Sequence, residues 1–224
     1  MPERQVLLVS ADTEWQAVCE ILAPGGLHPT ALGETFEAPL GTQDYTFFHG
    51  GWGKIAAAAS TQFVIDTYHP ALLVNLGTCG GFEGRLQLGT ILLVNRALVY
   101  DIKEAMGDPQ AAVSSYSTDL DLSWLPNPFP GGVQPGVMVS ADRDLQSRDV
   151  PGLVERFEAM AADWESAAIA WVARRNSVRC LILRGVTDLV GPAGDEVYGN
   201  LPLYQARSRP MVQSLLQLLP ELLA

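Results

Sequence analysis

Four places along the chain put polar or ionisable side chains just after a short apolar run. Glu14 follows the run 6–11 and Thr78 the run 71–76. Glu165 lies three residues beyond 159–162, and Thr187 and Asp188 close Leu181-Ile182-Leu183-Arg184-Gly185-Val186. In open α/β sheets ligands bind beyond the carboxyl ends of the strands. Carboxylates and hydroxyls gathered at such a rim could hold a polyol, move a proton or stabilise a growing positive charge. Taken singly, each has a plain alternative. Glu14 and Glu165 read equally as acids in the first turn of a helix, at the positive end of its dipole. Asp188 reads equally as a turn residue. Arg184 is harder to set aside, because a guanidinium inside so apolar a run needs a buried carboxylate beside it. Glu14 is a candidate for that partner.

Two glycine-rich segments invite a different chemistry and do not meet its requirements. In Gly50-Gly51-Trp52-Gly53-Lys54 the residue five before Gly53 is Phe48, where a phosphate-cradling loop has Gly. Ile55 follows the lysine where that loop has Ser or Thr. Gly77-Thr78-Cys79-Gly80-Gly81 has the spacing of a nucleophile elbow with Cys in place of Ser. An elbow must run straight into a helix, and Phe82-Glu83-Gly84-Arg85-Leu86-Gln87-Leu88-Gly89 is a poor one. Cys79 is therefore read as a small buried filler, with a thiol hydrolase as the outlying alternative.

The elements that must position these groups are legible from pattern. Strands are expected at 6–11, 71–76, 90–100, 136–140 and 178–188, with short strands over 29–49. Helices are expected at 14–23, 55–68, about 150–159, 165–175 and 203–223. Residues 101–135 read as irregular, with six Pro and Gly residues between Pro126 and Pro135, and 189–202 as a Gly/Pro-rich loop. Strands and helices alternate, yet some strands follow one another directly. The expected fold class is α/β: a three-layer α/β/α domain over residues 1–224 with a central mixed, partly parallel twisted sheet.

Composition narrows the function classes. With 48% apolar and 17% charged residues the chain has a globular balance and is not a disordered one. Its net charge of −11, with no basic stripe, argues against nucleic-acid binding and against attraction to an anionic membrane. No window approaches a membrane-spanning length, and the N-terminal apolar run is too short for a signal peptide. Cys19, Cys79 and Cys180 are too widely spaced for a disulfide framework or a zinc pattern, and His28, His49 and His69 are equally scattered. The expectation is a cytoplasmic protein that needs no metal and no organic cofactor.

Taken together, HGGWGKIAAAAST, LLVNLGTCGGF with QLGTILLVNRALVYD, VMVSADRD, ADWESAAIAWVA and LILRGVTD resemble the nucleoside phosphorylase/nucleosidase superfamily in order and spacing. The resemblance runs from about residue 5 to 220. It is strongest to the methylthioadenosine/S-adenosylhomocysteine nucleosidase branch, where GTCGG stands for G-S-A-G-G, ADWES for V-E-M-E-A and RGVTD for R-A-I-S-D. The reaction implied is cleavage of the bond between a purine and the anomeric carbon of a ribose, through a state resembling an oxocarbenium ion. By resemblance, Asp188 supplies or relays a proton to the imidazole-ring nitrogen of the leaving purine, with Thr187 beside it. Glu165 grips the ribose hydroxyls. Glu14 positions and deprotonates water, and Thr78 and Arg184 line the water site. Cys79, Asp163 and Trp164 fall in the same matched motifs and join the substrate-binding set.

Departures from the family pattern carry their own expectations. Trp164 stands where the family has Met, so it either reshapes the sugar pocket or serves as core. The aromatic that stacks on the purine falls near Arg143-Asp144, which offers no aromatic platform. Asn75 replaces an Arg of the phosphate-dependent branch, and Asp12 and Glu14 would repel phosphate. The reading that follows is a homodimeric hydrolase of 5′-modified adenosine-type nucleosides. Its alternatives are a phosphate-dependent phosphorylase and a non-catalytic nucleoside-binding protein on the same fold.

Overall fold

The computed structural model describes residues 4–191, 194 and 197–224. The apolar runs form strands whose alternate residues are claimed by opposite faces, as a strand buried on both sides requires. In β1 (Gln5–Val9) Leu7 and Val9 pack on one face and Val6 and Leu8 on the other. In β5 (Leu72–Phe82) Val74 and Leu76 oppose Leu73, and in β10 (Arg179–Val190) Leu181 and Leu183 oppose Ile182. The first face is covered by α1 (Asp12–Leu22), through Trp15 and Val18, and by α6 (Leu201–Leu222), through Val212 and Leu215. The second is covered by α2 (Lys54–Tyr68), through Ala57 and Val64, and α5 (Ser166–Arg175), through Ala167 and Ile169. The three expected layers are the layers that form.

The sheet is mixed. β4 (Gln43–His49), β1, β5 and β10 run parallel as neighbours. An antiparallel meander of β2 (His28–Thr30) and β3 (Gly33–Leu40) extends it beyond β4. β6 (Ile91–Val99) lies antiparallel to β10 and parallel to β8 (Gln134–Ser140), which in turn runs parallel to β9 (Ala159–Asp163). β9 closes back on the end of β5 through Gly80↔Ala162 and Gly81↔Ala161. The carboxyl ends of β1, β5, β9 and β10 meet at this point.

Three segments differ from the sequence expectation. The strand expected to stop at Leu76 continues through the whole Gly-rich motif to Phe82. Close approach is the reason: a Cβ on Gly81 would stand 2.8 Å from Val186 Cγ1 across the β5–β10 pair. The motif is therefore strand rather than loop. Residues 101–135 are not wholly irregular, since α3 (Pro109–Ser115) and β7 (Ser117–Asp119) form there. Asp108 caps α3, accepting from the Gln110 N–H at 2.8 Å, with Pro109 at the first helical position. Finally, β10 extends to Val190 and α6 starts at Leu201. Of the loop expected over 189–202, residues 192, 193, 195 and 196 lie outside the described residues. The helix expected at 150–159 is α4 (Val150–Phe157).

α6 rests directly on β10 at Gly185, where a Cβ would fall 2.0 Å from Met211 Cγ. Gly185→Ala is expected to lower unfolding stability by about 1–3 kcal/mol, the range for overpacking a filled core. Urea denaturation measures it. An unchanged midpoint would mean that α6 does not approach the sheet this closely.

Candidate active site

A cavity of about 470 Å³ opens where those strand ends meet. Thr78 and Cys79 reach it from β5, Asp163 from β9, and Thr187 and Asp188 from β10. Trp164 and Glu165 reach it from the turn into α5, and Glu14 from the first turn of α1. Eight of the nine residues singled out from sequence therefore line one cavity. The ninth, Arg184, lies beneath its floor with 1% of its surface exposed.

Local structure explains the aim of these side chains. The β5–β10 register jumps from Val186↔Cys79 to Asp188↔Gly80, so Thr187 is an extra residue in the strand. A bulge of this kind re-aims side chains and is common beside active sites. Here both Thr187 and Asp188 line the cavity although they are adjacent in a strand. The Thr187 carbonyl accepts from Arg207 Nη1 of α6 at 3.1 Å. At the head of α5, Asp163 accepts from the backbone N–H of Glu165 at 3.3 Å and of Ser166 at 3.2 Å. It also accepts from the Ser166 hydroxyl, and from Ser140 Oγ at 2.5 Å. The Gly53 N–H, at the start of α2, donates to Glu165 Oε1 at 2.9 Å.

Arg184 does have a carboxylate partner, but the direct one is Asp163 rather than Glu14. Arg184 Nε donates to Asp163 Oδ2 at 2.8 Å and Nη2 to Asn75 Oδ1 at 2.6 Å. Glu14 contributes through its charge. Its Oε1 is taken by Thr78, which donates from the backbone N–H at 2.6 Å and from the hydroxyl at 2.7 Å. Among the described residues Arg184 Nη1 has no hydrogen-bond acceptor. Nη1 and Glu14 Oε2 both face Gly77, where a Cβ would lie 2.7 Å from the first and 2.8 Å from the second. Only glycine leaves these two groups side by side.

The carboxylates outnumber the cation, and burial shows in their proton affinities. Burial raises the Glu14 pKa, while Arg184 and the Thr78 donors pull it back. Glu165 is pushed up to about 8, first by burial and then by the charge of Asp163, against the pull of Arg184 and the Gly53 N–H. Burial also pushes the Cys79 thiol up, and the Asp163 charge adds to it. A nucleophilic cysteine needs the opposite environment, so Cys79 serves as cavity wall.

Several cavity residues were not reached from sequence. Trp52 stands at the mouth, edge-on to Trp164 with ring centroids 5.2 Å apart. Tyr198 and Tyr204 line the wall on the α6 side. Its place in the glycine loop is the one signal that could have marked Trp52, and no local signal marks the two tyrosines. Arg143 does not line the cavity; it packs over the Tyr100 ring at 5.2 Å and pairs with Asp149 at 2.8 Å. The GGWGK loop gives its helix-start donors to carboxylates: Gly53 N–H to Glu165, and Lys54 N–H to Asp142 Oδ1 at 2.7 Å. The Lys54 ammonium pairs with Asp101. Among the described residues no group of His, Cys, Asp and Glu could hold a metal ion, and no helix is long and apolar enough to cross a membrane.

Comparison with known proteins agrees with this fold. The phosphorylase superfamily profile matches residues 6–217. A 5′-methylthioadenosine/S-adenosylhomocysteine nucleosidase of Staphylococcus haemolyticus is 26% identical over 196 residues, 82% of this chain and 86% of its own length. One from Oceanobacillus iheyensis is 28% identical over 152 residues, 63% of this chain and 66% of its own length. Among solved structures, a mutant Helicobacter pylori MTAN with 5′-methylthioadenosine in its active site superposes with a TM-score of 0.81 at 17% identity, covering 99% of this chain and 100% of that one. The native futalosine hydrolase of Helicobacter pylori gives 0.80 at 17% identity, covering 98% of each chain. These two likenesses speak for the fold, and the profile, which spans nearly the whole chain, speaks for descent. The chain belongs to the phosphorylase superfamily.

Proposed function

We propose that the protein is a purine nucleosidase that hydrolyses the N-glycosidic bond of a 5′-modified adenosine-type nucleoside, of the methylthioadenosine/S-adenosylhomocysteine kind. The products are the free base and the ribose derivative. The observation that carries this reading is the charge around the cavity. Glu14, Asp163, Glu165 and Asp188 line it, whereas among the described residues no lysine or arginine does. Arg184 beneath is already engaged by Asp163 and Asn75. Such surroundings favour a sugar that gains positive charge in the transition state and disfavour a phosphate dianion. The curated relatives' names carry the same activity.

The roles follow from the chemistry each group can perform. Glu14, once ionised, has the raised proton affinity of a useful base, and its Oε2 faces the side where Arg184 Nη1 also points. It takes a proton from water as the water oxygen bonds to the anomeric carbon. Thr78 and Arg184 orient that pair. The electrons of the breaking bond pass to the purine, whose imidazole-ring nitrogen receives a proton from Asp188, with Thr187 beside it. Glu165 holds the ribose hydroxyls, below about pH 8 as a neutral carboxyl. Asp163 fixes Arg184 and the head of α5, and Trp164 with Cys79 walls the sugar.

The same reading takes 1–224 as a single catalytic domain that works as a homodimer in a reducing cytoplasm. Exposed Trp52, Ile55, Met106 and Tyr116 supply apolar surface for a second copy, and the three cysteines are free thiols.

Base release is the direct test. Incubated with methylthioadenosine and no phosphate, the protein should yield adenine and reducing sugar, read by chromatography. Release only with phosphate would make it a phosphorylase. Asp188→Asn should slow release by about 10²–10⁴-fold, the usual worth of a positioned acid, with nucleoside binding retained. Wild-type turnover in that variant removes Asp188 from the mechanism.

Glu165 also predicts how stability varies with pH. Its pKa is raised to about 8 from an ordinary 4.5. Between these values the folded state holds a proton that the unfolded chain has released. Stability therefore falls as pH rises through that window. In urea unfolding from pH 5 to 8 the wild type should lose more stability than Glu165→Gln. Parallel curves would show that Glu165 titrates normally.

A further inference from the structure

Tyr204 is the fourth residue of α6, and its ring lines the cavity. Its hydroxyl lies 3.5 Å from Thr78 Oγ1. Thr78 has a single hydroxyl proton, and Glu14 Oε1 receives it at 2.7 Å. That fixes the direction of the other contact: the phenol O–H donates, and a Thr78 lone pair accepts. Burial and the Glu14 charge both raise the phenol pKa, so Tyr204 keeps its proton and remains a donor. A threonine hydroxyl is a rotor, and without a second partner its proton is free to turn away from the carboxylate. Chained donors also polarise and strengthen one another.

We infer that Tyr204 is a positioning residue for Glu14: by donating to Thr78 Oγ1 it pins the Thr78 proton on Glu14 Oε1 and keeps Glu14 Oε2 turned to the reacting water. The inference rests on the water-activating role proposed for Glu14. At 3.5 Å the contact is at the long limit of a hydrogen bond. The other groups that face Glu14 are Arg184 from β10, Glu165 at the head of α5 and Cys79 from β5. Arg184 favours the carboxylate, and an ionised Glu165 opposes it. Arg184 donates to Asp163 and Asn75, and Glu165 accepts from the Gly53 N–H, so these hydrogen bonds do not run through the Tyr204 hydroxyl.

The test is Tyr204→Phe, made both in the wild type and in Thr78→Val. In the wild type, kcat should fall by about three- to ten-fold, the worth of one net hydrogen bond, with KM within about two-fold. The acid limb of kcat against pH should move to higher pH, because a carboxylate with weaker donor support is protonated more easily. In Thr78→Val the same change should alter neither rate nor limb, since the path is already cut. Thr78→Ser should restore the Tyr204 effect. An equal effect in both backgrounds, or an unmoved acid limb, overturns the inference. A wild type that releases no base instead overturns the hydrolase reading. The relay is then read from the Glu14 carboxylate titration by difference infrared, which Tyr204→Phe should move upward only where Thr78 is present.

Discussion

A guanidinium with 1% of its surface exposed cannot sit in the middle of a covered sheet unless acceptors are built around it. Arg184 is that group, and its acceptors organise the site. Asn75, which takes Nη2, donates its own amide to the Leu8 carbonyl, near the end of β1 and the turn into α1 that carries Glu14. Asp163, which takes Nε, also binds the first backbone donors of α5 and so sets Glu165. A single buried cation thus ties β1, β5, β9 and β10 to the starts of two helices. The side chains at those starts face one another across the cavity because the acceptors do.

The charge balance goes further than satisfying the arginine. Glu14 and Glu165 both bind protons more tightly than free carboxylates, with burial as the first cause in each. One cation among several acids leaves the floor short of positive charge. A ligand that becomes positive at its centre supplies what is missing at the moment it does so. Stabilisation of that kind acts on the transition state more than on the neutral substrate, which is the condition for accelerating the reaction rather than only binding.

Much of this arrangement is legible in the sequence, and the rest is hidden for physical reasons. Apolar runs and helical periods are local, so the layers and the polar residues at the strand ends can be read from them. Gly77 to Gly81 reads as loop because glycine disfavours strands in isolation. The structure makes it strand because β10 passes too close for a side chain at Gly81. Asp108 before Pro109 was a helix-start signal inside a stretch dominated by later prolines. The partner of Arg184 depends on strand register: Asp163 and Glu14 are equivalent acids on paper, and only the fold places one within 2.8 Å. The tyrosines are harder still. Tyr204 meets Thr78 across 126 residues of chain, and nothing in either segment announces the other.

The two glycine motifs show why a superfamily named for phosphorolysis can contain a chain suited to water. Binding a dianion calls for several convergent donors. The start of α2 offers such donors, but its Gly53 and Lys54 N–H groups point to Glu165 and Asp142, and the Lys54 ammonium is paired with Asp101. At the β5 motif the Thr78 N–H and hydroxyl both go to Glu14. Two donor sets that could have cradled phosphate are filled by the protein's own carboxylates. On the proposed reading, phosphate is disfavoured by charge and occupied donors rather than by bulk. Two of those carboxylates, Glu14 and Glu165, are the groups proposed for water and for ribose, so on that reading excluding phosphate and activating water draw on one set of hydrogen bonds.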